Sequence, residues 1–129
     1  MKNLVIEIQP DAPYYPGVNF NAETGECIIE GESYMEEAYK FYMPLLEWVK
    51  EYTIGMQKSV QMNFRLTYFN TSSSRLILDL LDVLNKYIKS GGNASVNWYY
   101  DPEDPDMKDE IEDFEIESGV SINLEKFEV

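Results

Sequence analysis

The chain has 129 residues, with 24 acidic against 10 basic side chains, a net charge of -14, and 44% hydrophobic and 14% aromatic residues. That apolar content is too high for a disordered acidic tail, and the length suits one folded domain spanning residues 1–129. The charge excludes the basic footprint that a nucleic acid or an anionic membrane requires, so neither is an expected partner, whereas a partner with a basic face would be steered in.

In chain order, Met1 to Glu7 carries a short apolar stretch broken by Glu7. Neither a signal-peptide core nor a segment long enough to span a bilayer follows, and the expectation is a soluble cytoplasmic protein. Pro10 to Pro16 reads as an extended connector. Val18-Asn19-Phe20 and Glu26 to Glu30 flank Asn21-Ala22-Glu23-Thr24-Gly25, the pattern of a hairpin with a glycine-containing loop. The single cysteine, Cys27, lies in an apolar run. It excludes an internal disulfide, fits a reducing compartment and reads as a small buried hydrophobe.

A first helix carries Tyr42, Leu45, Leu46, Trp48 and Val49 up to a stop near Thr53 to Gly55, with Pro44 expected to kink it. Val60 to Tyr68 alternates strictly, every even position apolar and every odd one polar, which predicts a half-buried strand with Tyr68 on the core side. Thr71 to Lys89 places Ile77, Leu80, Leu81, Leu84 and Ile88 on one helical stripe, and Ser90-Gly91-Gly92-Asn93 ends it. Val96, Trp98 and Tyr100 alternate as a strand, Pro105, Met107, Ile111 and Phe114 mark a short acidic helix, and Val120, Ile122 and Leu124 alternate again. The order strand, hairpin, helix, strand, helix, strand, helix, strand predicts an α/β fold with a mixed sheet and helices packed mainly on one face.

The chemistry is bounded by absence. The chain has no histidine, which removes serine-histidine-aspartate and cysteine-histidine catalysis, histidine metal sites and phosphohistidine relays. Ser90-Gly91-Gly92 follows a helix instead of joining a strand to one, so it is no phosphate loop. The run Asp101, Glu103, Asp104 and Asp106 lacks the loop glycine and terminal glutamate of a calcium site and reads as a solvated helix start. Trp98, Tyr99 and Tyr100 read as strand core in preference to a stacking platform. No enzyme activity, metal or cofactor is expected. One place stands out: Asn70-Thr71-Ser72-Ser73-Ser74, at the junction of the central strand and the second helix. Any of the five would serve as an N-cap, yet one cap suffices, and small polar residues exposed where a strand turns into a helix sit at the usual functional address of α/β folds.

Tyr68-Phe69-Asn70-Thr71-Ser72-Ser73, with the leucine-rich helix that follows, resembles the signature of the SiaC-like bacterial regulatory phosphoproteins, a family similar in fold to STAS-type anti-sigma factor antagonists. Gly31-Glu32-Ser33-Tyr34 with Glu36, Leu46-Glu47-Trp48-Val49, and Trp98-Tyr99-Tyr100-Asp101 resemble the family pattern in the same order, whereas Met35 stands where the family carries proline. The resemblance implies a STAS-like fold with Thr71 as phosphoacceptor, modified by a cognate protein kinase and restored by a metal-dependent serine/threonine phosphatase. It implies an unmodified form that binds and activates a GGDEF-type diguanylate cyclase, coupling the switch to cyclic di-GMP signalling and biofilm formation. An anti-sigma kinase is the alternative target. Tyr68, Asn70, Ser72, Ser73 and Arg75 would then form the switch surface, with Arg75 placed to pair either with the phosphate or with Asp79.

Overall fold

A computed structural model describes residues 1–127. Strands β1 (Leu4–Ile6), β2 (Gly17–Phe20), β3 (Glu26–Ser33), β4 (Val60–Phe69), β5 (Ala94–Tyr100) and β6 (Ile122–Lys126) form one sheet in sequential order. The first three pair antiparallel, and β3 through β6 run parallel. Helices α1 (Ala38–Lys50), α2 (Thr71–Lys89) and α3 (Pro105–Ser118) make the three crossovers. Parallel crossovers are right-handed, and each here steps to the adjacent strand in the same direction, so all three helices stack on one face. The expected α/β architecture, mixed sheet and element order are those observed.

The even positions Val60, Met62, Phe64 and Leu66 of β4 are buried beneath these helices. Phe64 stacks on Trp98 at 4.4 Å between ring centroids, and Trp98 stacks in turn on Phe114 of α3 at 5.5 Å, so the tryptophan is strand core as its alternation indicates. On the opposite face the odd positions form a polar ladder in register across three strands. Asn123 donates its amide to Asn97 (3.1 Å), Asn97 to Asn63 (3.0 Å), and Asn63 to the Cys27 carbonyl (3.1 Å). These bonds satisfy polar groups that the sheet partly removes from water. Cys27 is fully buried, and burial with the neighbouring Glu26 raises its thiol pKa, which suits an inert packing residue.

Pro44 lies inside α1, past its first turn, and the helix ends through a π-helical turn at Glu51–Gly55, where its stop is expected. Three local expectations change. The Pro10 to Pro16 segment is a succession of turns, Ala12 N–H bonding the Gln9 carbonyl and Tyr15 N–H the Ala12 carbonyl. At the far edge, Val120 precedes β6 and is buried, whereas Leu124 is exposed because β6 has a neighbour on one side only.

The third concerns β4. Gly31 of β3 pairs with Leu66 but the next residue, Glu32, pairs with Tyr68, which leaves Thr67 as an extra, unpaired residue. This bulge exchanges the faces for the rest of the strand. Phe69 therefore enters the core at 8% exposure, and Tyr68, expected inside, is 46% exposed and packs against Tyr34 in a tilted arrangement with ring centroids 5.3 Å apart. Gly31 accommodates the distortion with a φ of 98°, which a side chain would strain.

The bulge makes an unusual stability contrast. Phe69→Ala should lower unfolding stability by about 3–5 kcal/mol, the range for truncating a buried phenylalanine, while Tyr68→Ala should change it by only about 0.5 kcal/mol, as at an exposed site. Urea unfolding midpoints of the two variants check this; equal losses would restore the uninterrupted alternation.

Candidate functional site

The parallel strands β4 and β5 end at one edge of the sheet, where Asn70 turns the chain from β4 into α2. Asn70 is the N-cap, with extended backbone, and its side-chain oxygen accepts from Ser73 N–H at 2.9 Å. Its amide donates to the Met35 carbonyl at 2.9 Å. The Asn70 N–H bonds the Ser33 carbonyl (3.0 Å), so this one residue joins the end of β3, the loop before α1 and the start of α2. Ser72 strengthens the same joint: its hydroxyl donates to the Glu36 carbonyl at 2.9 Å and accepts from Ala38 N–H, the first residue of α1, at 3.4 Å.

Ser73 is fully buried, contrary to the expectation that the whole run is exposed. Its hydroxyl donates to the Ser33 carbonyl at 2.9 Å and accepts from the Ser33 hydroxyl at 2.7 Å. Ser33 has then spent its only proton, so in the 2.8 Å contact between Ser33 Oγ and the Tyr42 hydroxyl it is Tyr42 that donates. Tyr42 of α1, Ser33 of β3 and Ser73 of α2 thus form a buried chain in which each hydroxyl donates once, with Met35 Sδ packed against the two serines. Burial pushes the Tyr42 phenol up to about 12.

Ser74 turns inward to the helix backbone, its hydroxyl donating to the Thr71 carbonyl at 2.8 Å. Thr71 differs from its neighbours. It is exposed at the first helical position, and its hydroxyl makes no hydrogen bond among the described residues. Four members of the polar run are used to hold the junction together. One is free.

Thr71 also stands at the mouth of a groove of about 740 Å³ that runs between α2 and α3. Tyr68 lines one end, Phe69, Met107 and Phe114 form an apolar floor, and Arg75 and Leu78 line the α2 side. Arg75 is exposed and lies 3.7 Å from Asp79, a loose ion pair one turn along the helix. The α3 wall is acidic: Asp104, Asp106, Glu110, Asp113 and Glu117 all line the groove. Asp104 is the N-cap of α3, its carboxylate accepting from Met107 N–H at 3.1 Å, so this part of the acidic run is a helix start as expected. Partial burial, and then the negative charges of Asp104, Asp106 and Asp113, raise the Glu110 carboxyl pKa above its ordinary range. The structure therefore brings Tyr68, Asn70, Thr71 and Arg75 to one groove, leaves Ser72 beneath the adjoining loop and buries Ser73. Sequence reasoning did not assign Tyr34, Ser33, Tyr42 or the acidic wall to this site, because Ser33 and Tyr42 reach Ser73, Tyr34 reaches Tyr68, and the carboxylates reach the groove only through tertiary contacts.

The model of the SiaC family regulatory phosphoproteins matches residues 9–127. The chain belongs to this family. Apo-SiaC from Pseudomonas aeruginosa superposes with a TM-score of 0.86 at 26% sequence identity, covering 97% of this chain and 99% of that one. SiaC in complex with the diguanylate cyclase SiaD that it activates, also from Pseudomonas aeruginosa, gives 0.87 at 25% identity, with 96% and 99% covered. An uncharacterised protein of Pseudomonas aeruginosa strain UCBPP-PA14 is 28% identical over 105 residues, 81% of this chain and 83% of its own length. In this SiaC family member, Met35 is buried with its sulfur against the serine pair, a packing position.

Two outcomes follow for the junction. Ser73→Ala strips partners from Ser33 and should cost about 1–3 kcal/mol, whereas Thr71→Ala should stay within about 0.5 kcal/mol of the parent, both read from denaturant unfolding. For pH, the folded Tyr42 pKa of about 12 lies above the ordinary value of 10. The stabilisation from keeping Tyr42 protonated is therefore complete below about pH 10 and lost as pH rises through the folded value. Stability measured across the alkaline range should fall less steeply in Tyr42→Phe than in the parent.

Proposed function

We propose that this chain is a partner-switch protein whose unmodified form binds and activates a GGDEF diguanylate cyclase and whose phosphoacceptor is Thr71. In this reading it is a regulator, not an enzyme, with a cognate kinase writing the phosphate and a metal-dependent serine/threonine phosphatase removing it. The observation that carries the choice of residue is the free, exposed Thr71 hydroxyl amid four bonded neighbours. Support for the choice of partner is the likeness, along nearly the whole chain, to SiaC in its complex with a diguanylate cyclase.

The physics of such a switch is local. Phosphorylation adds about -1.5 to -2 charges at the first position of α2, where free amides and the helix dipole favour an anion. Beneath it, Asn70 and the buried hydroxyl chain hold the junction without using Thr71, so the fold tolerates the modification. A partner that covers unmodified Thr71 instead confronts a hydrated dianion. Reversing occupancy from 99:1 to 1:99 takes about 5.5 kcal/mol of differential binding, a magnitude that one buried, unmatched charged group supplies.

Thr71→Ala should fold, bind the cyclase and resist phosphorylation, and Thr71→Glu should bind at least about tenfold more weakly, a difference of roughly 1.4 kcal/mol. Intact mass with and without phosphatase, titration calorimetry against the cyclase recovered with the unmodified protein, and the rate of cyclic di-GMP formation read these outcomes. Equal binding by the two variants would exclude the switch, and recovery of an anti-sigma kinase in place of a GGDEF protein would redirect it to that target.

A further inference from the structure

The groove beside Thr71 has three features that belong together. Its floor is apolar, formed by Phe69, Met107 and Phe114. Tyr68, which lines one end, is 46% exposed, and its ring meets that of Tyr34, itself 57% exposed, beside the groove. Its α3 wall presents carboxylates at Asp106, Glu110, Asp113 and Glu117, spaced four, three and four residues apart and hence aligned as a single stripe.

Each feature is costly if the surface is simply solvated. Like charges one turn apart destabilise a helix, and the ionised form of Glu110 is disfavoured first by partial burial and then by the charges of Asp104, Asp106 and Asp113. The one cation lining the groove among the described residues, Arg75, is shared with Asp79. Exposed tyrosines beside an apolar floor are the anchors of protein interfaces, and a tyrosine face attracts a guanidinium or ammonium group.

We infer that this groove is the seat of a basic amphipathic segment of the partner, which lays an apolar side chain on the floor formed by Phe69, Met107 and Phe114 and directs arginine or lysine side chains at Tyr68 and the α3 carboxylates. The inference rests on the partner-switch reading and specifies the face and the chemistry of recognition. Charge complementarity selects this occupant, since an acidic or neutral segment would leave the stripe unneutralised. A phosphoryl group on Thr71 would stand in the groove mouth, one helical turn from Arg75, and would exclude the apolar side chain sterically. Attraction to one partner cation does not restore that lost seating.

The test uses the full chain with two probes. The first is a helical peptide of leucine, alanine and arginine, compared with a twin carrying glutamate for arginine, followed by amide chemical shifts of the protein. The second is the cyclase itself. The arginine peptide should shift amides lining the groove, its glutamate twin should not, and its affinity should fall as salt rises from about 50 to 300 mM. Combined Glu110→Gln, Asp113→Asn and Glu117→Gln should weaken both peptide and cyclase by about tenfold, as should Tyr68→Ala, with unchanged circular dichroism. A control with the same loss of charge, Glu23→Gln, Glu47→Gln and Glu51→Gln, alters exposed sites outside the groove and should bind as the parent does. Shifts mapping outside the groove, an equal effect of the control, or cyclase affinity indifferent to the groove substitutions would each overturn the inference. If the cyclase fails to bind the unmodified parent at all, the partner-switch reading fails instead, and the peptide still decides the groove.

Discussion

The junction that presents Thr71 depends on one buried hydroxyl. Ser73 lies at the third position of α2, sealed from water, and reaches back to both the carbonyl and the hydroxyl of Ser33, forty residues earlier. Tyr42 joins from α1, so a single chain of three hydroxyls fixes the end of β3, the second crossover helix and the first against one another. Buried polar groups are expensive when left unpaired, and here every proton has a destination, which makes the arrangement specific as well as stable. Asn70 and Ser72 pin the intervening loop from the side. The consequence for Thr71 is indirect. Because its neighbours satisfy the helix start and the loop, its own hydroxyl is left with no structural task.

The bulge at Thr67 sets what surrounds that hydroxyl. Without the extra residue, Tyr68 would continue the inward series of Val60, Met62, Phe64 and Leu66, and Phe69 would face water. With it, Phe69 closes the core against Trp98 and Phe114 and reaches the groove floor, while Tyr68 emerges beside Tyr34 at the groove mouth. A one-residue irregularity in the ladder therefore exchanges an apolar strand end for a surface with a dry floor and aromatic rim. Bulges recur next to functional sites for this reason, since they re-aim the side chains that follow them.

The periodic elements were legible because their signals are local. The stripe of Ile77, Leu80, Leu81 and Leu84 with a polar start and a Ser-Gly-Gly stop bounded α2 correctly, although Ile88, expected on the same stripe, is exposed in the last turn, and Pro105 with its acidic neighbours marked α3. The bulge was not legible: an unpaired residue changes no composition, and Val60 to Tyr68 reads as unbroken alternation until the register with β3 is known. Ser73 was misread as exposed for a related reason. A serine is buried only where a distant partner satisfies it, and nothing near position 73 announces Ser33 or Tyr42. The acidic residues of α3 were rightly read as a helix start at Asp104, but their role as a groove wall needs the packing of α3 beside α2. Thr71 was singled out through the family pattern as much as through its position, and its free hydroxyl distinguishes it from the bonded serines around it.

The charge of the groove bears on how a switch at this position would act. Taken alone, an anion at the start of α2 is favoured by the helix dipole, yet the same anion would face the stripe of carboxylates across the groove. The two influences act on different parts of the phosphate's surroundings. The amides of the first helical turn act at contact distance, and Arg75 follows one turn on, whereas the α3 wall acts across a solvated gap where screening is strong. Local attraction therefore outweighs the opposing field, and a phosphate would stay on the helix end without prising α3 away. The modified surface would then differ from the unmodified one in charge and in the space left at the groove mouth, with the core beneath unchanged. For a protein whose junction is fixed by buried hydroxyls, that would be the economical form of regulation: the scaffold would hold one geometry, and only the surface a partner must cover would be rewritten.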